Sequence, residues 1–334
     1  MQGLRIGMLG AARIGELALL EPARLLGHQV VAVSARSYDR AADYARAHGI
    51  SRVYHCYQDV IDDPDVDAVY NPLVNSLHAE WNTAALLAGK AVLSEKPFTS
   101  NALQAETLRD VAAAVGGQIF EGFHYVHHPV TTRIRDIVRS GVLGEITHVD
   151  IDMRMPAPPA TDPRWSLQLA GGATMDLGCY ALHAMRQFGR WTSGEPGVFG
   201  ARGIEMAGNP GVDRQMSIEL AYPDGVAGTV SVNMDATNTE MTWTITGDRG
   251  SVSAPSWPVP HRDDRVILTV DGQTNEEHLG VRTSYTYQLE ALAAALHAGA
   301  AYPIDIEDAV ANMTLVDAAY TAAGFPLRGD AKAQ

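Results

Sequence analysis

Short apolar runs alternate with amphipathic segments over the first 120 residues, and this alternation constrains the fold more than any other feature. The apolar runs occupy residues 4–9, 30–34, 68–70, 91–93 and 118–123. The helix-like segments occupy residues 38–48, 77–87 and 102–115. Such alternation is typical of a parallel sheet with helices packed on it. Gly49, Gly89 and Gly116 are expected to end helices, and Pro22 to interrupt the first one.

The pattern changes after about residue 122. A helix-like stretch at 131–141 is followed by a segment, 145–155, whose polar and apolar residues alternate with period two. Further strand-like runs lie at 215–221, 226–233, 241–246 and 266–270, and two alanine-rich helices are expected at 285–298 and 306–323. These runs predict an antiparallel or mixed sheet.

The length of 334 residues also predicts two domains, because single cores rarely grow that large. We expect an α/β protein with a Rossmann domain at 1–121, a doubly wound parallel sheet. A second α/β domain is expected at 122–334, with the last helix packing back on the first domain.

The charge of the chain limits its partners. The formal net charge is −14, which disfavours binding to nucleic acid or to an anionic lipid surface. No apolar run reaches the ~18 residues of a membrane span, and the first residues do not resemble an export signal. Only Cys56 and Cys179 are present, so neither a disulfide framework nor a zinc site is expected. The cytoplasm is the expected compartment.

A glycine-rich turn follows the first strand. Gly10-Ala11-Ala12-Arg13-Ile14-Gly15 is a variant of the dinucleotide fingerprint, in which Gly10 permits a tight turn and the small Ala12 lets the backbone approach a pyrophosphate. The final glycine allows close packing of helix on strand, and the helix N-terminus offers N–H groups to the anion. Gly10, Ala12, Arg13 and Ile14 are therefore predicted cofactor contacts. The alternative is an ordinary strand–helix turn.

The end of the second strand indicates which dinucleotide is bound. An NAD site usually has an acid here, whereas this chain has Ser34-Ala35-Arg36-Ser37, with Arg40 one turn later. Arg36 can pair with a 2′-phosphate and stack on adenine, and Ser37 can donate a hydrogen bond. NADP is therefore expected rather than NAD. A solvated Arg36 is the alternative, and Asp39 nearby weakens the preference.

Ligands of such folds bind outside the carboxyl ends of the strands. Asn71-Pro72-Leu73 follows the third apolar run, and Asn75 and His78 are expected to reach toward a nicotinamide. Glu95-Lys96-Pro97 follows the fourth run and places an ionisable pair at the same edge. For His78 alone, helix capping or surface exposure is the alternative.

These segments resemble the glucose–fructose oxidoreductase / inositol dehydrogenase (Gfo/Idh/MocA) family. The resemblance rests on "YNPLVNSLHAEW" and "GKAVLSEKPF" and continues through "EGFHYVHHP", "SGVLGEI", "GGATMDLGCYALHAMR" and "YPIDIEDAVANMTLVDAAYTAAG". It implies a Rossmann domain followed by an α/β domain whose open, mostly antiparallel sheet forms the substrate site and often a homodimer or tetramer interface. It also implies that Lys96 is catalytic and contacts the nicotinamide ribose, beside Glu95 and Pro97.

A second group of candidates follows at Asp176, Tyr180 and His183, whose i, i+4, i+7 spacing predicts one face of a helix. Hydride transfer at a carbinol also moves a proton, which a positioned side chain must exchange. A tyrosine pKa of ~10 must fall by about three units for this, roughly 4 kcal/mol, which a nearby cation such as Lys96 could supply.

The family divides at this position. Relatives like inositol dehydrogenase carry a histidine four residues after the aspartate, so Tyr180 resembles the branch of dihydrodiol dehydrogenase and NADP-linked xylose dehydrogenase. In that branch a tyrosine is the acid/base, which implies this role for Tyr180 here and implies that Asp176 orients the substrate or Tyr180. Alternatively, Tyr180 is a core aromatic residue and Asp176 a helix cap. His183 is a weaker candidate for substrate contact.

Three histidines in "HYVHH" (124–128) have helical metal-ligand spacing, but Pro129 disfavours a helix there and no metal is expected. His124 or Tyr125 is instead expected to line the substrate pocket. Trp165 is expected either to close over the cofactor, as a tryptophan does in relatives, or to be a buried anchor.

The sequence thus predicts an NADP-dependent oxidoreductase that transfers hydride at a carbinol or carbonyl carbon of a sugar, polyol or dihydrodiol. Tyr180, assisted by Lys96, is the expected acid/base. Two alternatives remain: a catalytically silent NAD(P)-binding sensor, and a sugar–sugar oxidoreductase whose cofactor does not dissociate.

Overall fold

The computed structural model describes residues 3–329, which form two compact units. The first unit comprises residues 3–124 and 285–310, and the second comprises residues 125–284 and 311–329.

The described chain contains α-helices and β-strands in both units. The helices are α1 (Glu21–Leu26), α2 (Tyr38–His48), α3 (Tyr57–Asp62), α4 (His78–Leu87), α5 (Ala102–Val115), α6 (Pro129–Ser140), α7 (Cys179–Trp191), α8 (Ser284–Ala298) and α9 (Ile306–Ala323). The strands of the first unit are β1 (Arg5–Leu9), β2 (Gln29–Ser34), β3 (Arg52–Tyr54), β4 (Ala68–Asn71), β5 (Ala91–Ser94) and β6 (Ile119–Glu121). The strands of the second unit are β7 (Ile146–Arg154), β8 (Gly197–Met206), β9 (Asn209–Ala221), β10 (Ala227–Asn233), β11 (Glu240–Gly247), β12 (Gly250–Ala254), β13 (Arg265–Val270) and β14 (Gln273–His278).

The first unit is built on a parallel six-stranded sheet in the order β3-β2-β1-β4-β5-β6. This is the doubly wound arrangement that the sequence predicts. Buried side chains of the sheet and of the first helical segment, among them Met8, Tyr70 and Leu19, share one core with Leu289 and Leu292 of α8. Burial of these apolar side chains explains why a helix from late in the chain belongs to the first unit.

The helix after β1 begins as a π-helical turn at Glu16–Leu20 and continues as α1. The backbone N–H of Glu21 donates to the carbonyl of Glu16, five residues earlier. Pro22, which has no N–H, follows directly and is buried. The wider turn accommodates the proline ring next to the preceding turn. The sequence predicted an interrupted helix, and the interruption is this change of helix type.

Three predicted helix ends are confirmed. Gly49 and Gly116 cap α2 and α5 in the left-handed conformation, and Gly89 adopts a positive φ of 73° just after α4. The helix starts are capped by side chains: Ser37 accepts from the N–H of Arg40 and Asn101 from that of Gln104.

The second unit is built on an eight-stranded sheet in the order β14-β13-β12-β11-β7-β10-β9-β8. Only β7 and β10 pair in parallel within it; the other described pairs are antiparallel. The predicted mostly antiparallel sheet is therefore confirmed. Along β7, Val149, Ile151 and Met153 are buried, while the residues between them are half-buried. This alternation shows that one face of the sheet packs against the unit's core.

Within residues 3–329, the helices are all too short or too polar to cross a membrane.

A buried histidine at the start of α6 makes the second unit sensitive to acid. His128 is fully buried, its Nδ1 accepts from the N–H of Val130, and its Nε2 lies 3.2 Å from the carbonyl of Arg282. Burial lowers the pKa of His128 to about 4. In the unfolded chain the pKa of histidine is about 6.5, so between these values the unfolded state binds more protons and stability falls as the pH falls.

We expect His128→Asn to reduce this acid sensitivity, because asparagine can still cap α6 but does not titrate. From about pH 7 to about pH 5 the wild-type protein should lose up to about 2 kcal/mol of stability that the variant retains. Thermal or urea unfolding at both pH values measures the difference. An identical pH dependence of the two proteins would contradict the assignment.

Candidate active site

The glycine-rich turn lies at the carboxyl end of β1, as the sequence predicts. Gly10 has a positive φ of 92°, and its N–H donates to the carbonyl of Ser34 at the end of β2 (2.8 Å). A Cβ at Gly15 would lie 2.2 Å from Cε of Met8 and 2.9 Å from the hydroxyl of Tyr44, so the glycine leaves room for these two side chains at the start of the helix. Ala12 and Ile14 are half-buried and Arg13 is exposed. The turn therefore has the backbone shape that a dinucleotide phosphate requires.

Positive charge collects at the carboxyl end of β2. Arg36 is exposed, and the guanidinium of Arg40 donates to the carbonyl of Ala11 in the glycine-rich turn (2.8 Å). Burial raises the pKa of Tyr57 at the start of α3, and the charges of Arg36 and Arg40 oppose that rise, so the phenol lies near both guanidinium groups. Tyr57 was not predicted as a residue of this site, because nothing in the sequence around it connects it to β2.

Two hydroxyl groups complete this region. The hydroxyl of Ser37 accepts from the N–H of Arg40 as the cap of α2 (3.4 Å). The hydroxyl of Ser34 is buried and has no hydrogen-bond partner among residues 3–329. A buried unpaired hydroxyl at this edge fits a partner supplied by a bound cofactor.

A chain of buried amide groups connects the ends of β4 and β5. Asn71 donates to the side chain of Asn82 (2.7 Å), and Asn82 donates to the hydroxyl of Ser94 (2.8 Å). The side-chain oxygen of Asn71 also accepts from the N–H of Leu73. Pro72 is buried, while Leu73 and Asn75 are half-buried. These bonds fix the loop on which the predicted cofactor contacts lie.

His78 holds the two loops at this edge together. Its ring is fully buried, with Nδ1 2.7 Å from the carbonyl of Pro97 and Nε2 2.9 Å from the carbonyl of Leu73. Burial lowers the pKa of His78, and a neutral imidazole has one N–H, which can donate to only one of these carbonyls at a time. Both ring nitrogens thus face backbone oxygens, whereas the sequence analysis expected the ring to reach toward a nicotinamide.

The Glu95-Lys96-Pro97 segment begins directly after β5. The carboxylate of Glu95 is buried and accepts from the hydroxyl of Tyr70 (2.8 Å). Burial and the charge of Glu95 raise the pKa of Tyr70, so the phenol remains a donor. Lys96 is half-buried, and its charge contributes to the lowered pKa of His78. Glu95 therefore anchors the loop on which Lys96 lies.

The predicted histidine group after β6 does not form a helix suited to a metal. Residues His124–His127 form a 3₁₀ turn, and His124 is buried with its ring 3.8 Å from the ring of Tyr285. Among residues 3–329, no three His, Cys, Asp or Glu side chains are grouped to hold a metal ion.

The second unit carries Asp176 and Tyr180 on two different helix types. Asp176 lies in a π-helical turn, Thr174–Gly178, and Tyr180 is the second residue of α7. The prediction that Asp176, Tyr180 and His183 share one face assumed α-helical spacing throughout. The π turn changes the spacing between Asp176 and Tyr180, and the shared face stays a prediction. Such turns are frequent at functional sites.

Asp176 is held by an arginine from the preceding loop. Nε of Arg164 donates to the carboxylate of Asp176 (2.7 Å), and the same guanidinium contacts Asp162 (3.3 Å). Asp176 raises the pKa of Arg164. The pairing fixes the direction of the Asp176 carboxylate.

Aromatic side chains surround the ring of Tyr180, which is 8% exposed. The ring centroids of Tyr125 and Trp257 lie 6.2 Å and 6.3 Å from it. The hydroxyl of Tyr125 lies 2.6 Å from Nδ1 of His183, and both side chains are fully buried. The predicted substrate residues Tyr125, Tyr180 and His183 therefore lie together, and Trp257 joins them. Trp257 was missed because it comes from a proline-rich loop 77 residues after Tyr180.

Trp165 is 1% exposed, and its indole N–H donates to the carbonyl of Pro158 (3.2 Å). This contact secures the proline-rich loop at 155–163. It agrees with the buried anchor that the sequence analysis gave as the alternative; contact with a cofactor stays a prediction.

Comparison with known proteins identifies the family. The family described as "Oxidoreductase family, NAD-binding Rossmann fold" matches residues 4–123, and "GFO/IDH/MocA C-terminal domain" matches residues 131–253. A "D-xylose 1-dehydrogenase (NADP(+)) 2" of Haloferax volcanii is 33% identical over 96% of this chain and 97% of its own. A "Trans-1,2-dihydrobenzene-1,2-diol dehydrogenase" of Xenopus laevis is 32% identical, over 46% of this chain and 47% of its own.

A solved structure agrees along the whole chain. KijD10, a 3-ketoreductase from Actinomadura kijaniata in complex with NADP and TDP-benzene, has a TM-score of 0.89, with 28% identity over 96% of this chain and 98% of its own. The glycine-rich turn, the loop after β5 and the full-length matches lead to one conclusion: the chain belongs to the Gfo/Idh/MocA family of NAD(P)-dependent oxidoreductases.

Proposed function

We propose that this chain is an NADP-dependent oxidoreductase that oxidises an aldose at C1, with Tyr180 exchanging the hydroxyl proton. The observation that carries the proposal is the likeness to the D-xylose 1-dehydrogenase of Haloferax volcanii, which extends over nearly the whole of both chains. A keto-sugar and a trans-dihydrodiol are the competing substrates. The 3-ketoreductase KijD10 is 28% identical to this chain, and the dihydrodiol dehydrogenase matches only 46% of it.

The cofactor is proposed to bind at the carboxyl edge of the parallel sheet. Gly10, Ala12, Arg13 and Ile14 would hold the pyrophosphate, and Ser34, Arg36, Ser37 and Arg40 the adenosine end with its 2′-phosphate. The concentration of Arg36 and Arg40 beside Tyr57 supports NADP over NAD. Pro72, Leu73, Asn75, Glu95, Lys96, Pro97 and Trp165 remain proposed contacts on the nicotinamide side. His78 is proposed to hold Leu73 and Pro97 in place for these contacts.

Oxidation of a C1 carbinol breaks one C–H and one O–H bond and leaves a carbonyl. The cofactor, when bound, would supply a hydride acceptor for C1 at its nicotinamide ring. Tyr180, as the phenolate, accepts the hydroxyl proton, a role that typically contributes 10²–10⁴-fold to the rate, an order-of-magnitude figure. In the reverse direction the phenol returns the proton to the carbonyl oxygen.

We assign two supporting roles. The positive charge of Lys96 would stabilise the phenolate of Tyr180 and so lower its pKa toward neutrality. Asp176, directed by Arg164, would accept a hydrogen bond from a sugar hydroxyl. The Asp162–Arg164–Asp176 group bears one cation and two carboxylates, and this favours an uncharged sugar over an anionic one. Tyr125, His183, Trp257 and His124 are proposed to line the substrate pocket.

The proton-transfer role predicts the effect of substituting Tyr180. Tyr180→Phe should lower kcat on the best aldose of a sugar and polyol panel by about 10²–10⁴-fold while NADPH affinity changes little. Lys96→Met should lower kcat as well. Tyr222→Phe, which removes a buried hydroxyl bonded to the carbonyl of Met185 in the same unit, is the matched control and should keep normal turnover.

Normal turnover in both Tyr180→Phe and Lys96→Met would show that the roles are wrongly assigned. NADPH binding by the wild-type protein with no turnover on any member of the panel would instead favour a sensor. An NADP that stays bound through gel filtration would favour a sugar–sugar oxidoreductase.

The cofactor preference predicts a selective loss of affinity in Arg36→Ala. Loss of a charge-assisted contact of about 1.5–3 kcal/mol should raise the Kd of NADPH by roughly 10–150-fold and leave that of NADH nearly unchanged. Fluorescence titration measures both constants. Arg46→Ala, which removes an exposed arginine from the last turn of α2, is the control. A parallel loss for NADPH and NADH would contradict the 2′-phosphate role.

The eight-stranded sheet is proposed to form a homodimer or tetramer interface. The half-buried face of β7 carries His148, Asp150 and Asp152, and His148 contacts the hydroxyl of Thr229 on β10 (3.0 Å). We expect light scattering to give twice or four times the mass of one chain, and Asp150→Lys to lower it. A monomeric wild-type protein at micromolar concentration would refute the interface.

A further inference from the structure

A cluster of four buried side chains packs against the start of the segment that carries Asp176 and Tyr180. We call Thr174, Asp213, Tyr320 and Arg328 the Asp213 cluster. The carboxylate of Asp213 accepts from the N–H and the hydroxyl of Thr174, both at 2.7 Å. It also accepts from the hydroxyl of Tyr320 (2.9 Å) and from Nη2 of Arg328 (2.8 Å). The cluster thus joins β9, the π turn, α9 and the segment after α9.

The guanidinium of Arg328 also has several buried partners. Its Nε donates to the carbonyl of Gly171 (2.6 Å), its Nη1 donates to the carbonyl of Pro326 (2.7 Å), and its guanidinium lies 4.1 Å from the ring centroid of Tyr320. Both charged side chains have 0% exposure. Burial, followed by the charge of Asp213, raises the pKa of Tyr320, so its hydroxyl remains a donor.

The backbone that enters the π turn is packed directly on this cluster. Gly172 has a φ of 130°, and a Cβ there would lie 2.1 Å from Oδ1 of Asp213 and 2.8 Å from Nη2 of Arg328. Together with the bond from Arg328 to Gly171, this contact fixes residues 171–174 from two sides. The π turn begins at Thr174, so its start and direction are set by Asp213 and Arg328.

A buried ion pair often adds little net stability, whereas breaking it leaves an uncompensated charge. A gain in folding stability is therefore a weak explanation for the presence of the buried Asp213–Arg328 ion pair. Its contacts converge on the first residue of the turn that carries Asp176, six residues before Tyr180. Displacement of a catalytic group by about 1 Å can cost roughly 10²-fold in rate.

We propose that Asp213 and Arg328 are positioning residues of the reaction, which hold the π turn so that Asp176 and Tyr180 point at the substrate. This inference rests on the proposed function, because it takes Tyr180 as the proton-exchanging group. Both side chains have 0% exposure, so they act through the backbone of Thr174 and Gly171. Arg328 comes from the end of the described chain.

Three substitutions of graded severity test the proposal. Tyr320→Phe removes one hydrogen bond and keeps the ring beneath Arg328, Arg328→Lys keeps the charge but cannot repeat all three donor contacts, and Asp213→Asn removes the central charge. We expect kcat to fall by about 3-fold, 10-fold and 10²-fold, respectively. The Kd of NADPH should stay within about twofold of the wild-type value, because the proposed cofactor residues of the first unit are unchanged.

The pH profile separates positioning from general destabilisation. A displaced Tyr180 has altered surroundings, so the apparent pKa of the kcat profile should shift in Arg328→Lys relative to wild type. Arg249→Met breaks the exposed ion pair with Asp271 in the same unit and should change neither kcat nor the profile. Circular dichroism identifies the variants that fold; the mild Tyr320→Phe and Arg328→Lys variants keep the test available if Asp213→Asn does not fold.

Wild-type kcat and an unshifted pH profile in the folded variants would overturn the proposal. So would a fall in kcat matched by an equal loss of NADPH binding, which a purely structural role predicts. If Tyr180→Phe itself keeps normal turnover, the proposed function fails instead, and the two failures are distinguished by that variant.

Discussion

The hydrogen bonds that the carboxylate of Asp213 accepts from Thr174 determine where the π turn of the second unit begins. A buried carboxylate must have its oxygens satisfied, and here all four donors come from different parts of the chain or from the turn itself. These bonds attach the first residue of the turn to β9. Asp176 is then held from its other side by Arg164.

In the first unit, uncharged side chains hold the loops next to the candidate site. The loops after β4 and β5 lie at the open carboxyl edge of a parallel sheet, where backbone oxygens have no strand partner. Asn71, Asn82 and Ser94 connect these loops through buried hydrogen bonds, and His78 presents both ring nitrogens to backbone carbonyls of the two loops. Lys96 therefore lies on a loop whose backbone is fixed, and its proposed catalytic role requires such a loop.

The local sequence predicted those features that local physics determines. The bounds of α2 and α5 agree with the apolar periodicity and its caps, and the glycine-rich turn lies where the fingerprint placed it. Short or polar strands were missed: β3 has three half-buried residues, β8 is rich in glycine, and β14 is almost entirely exposed, so none shows the alternation of a half-buried strand. The π turns were also missed, because the α-helical period was assumed.

Contacts between residues distant in sequence were beyond the reach of pattern analysis. Asp213 and Arg328 are 115 residues apart. Trp257 and Tyr180 likewise meet only in the folded unit. His78 was predicted to reach toward a nicotinamide, and its buried contacts with Pro97 and Leu73 could not be read from its neighbours in the sequence. Polar residues in a local sequence reveal which chemistry is possible, whereas burial and long-range pairing decide which groups are available for it.

We propose that this chain moves a hydride between C1 of an aldose and the nicotinamide of NADP. Incubation with NADP⁺ and an aldose carrying deuterium at C1, followed by mass spectrometry of the reduced cofactor, tests it directly. We expect NADPH that carries one deuterium and an aldonolactone or aldonate that has lost it. Unlabelled NADPH, or no reduced cofactor with any aldose that binds, would show that this hydride transfer does not occur.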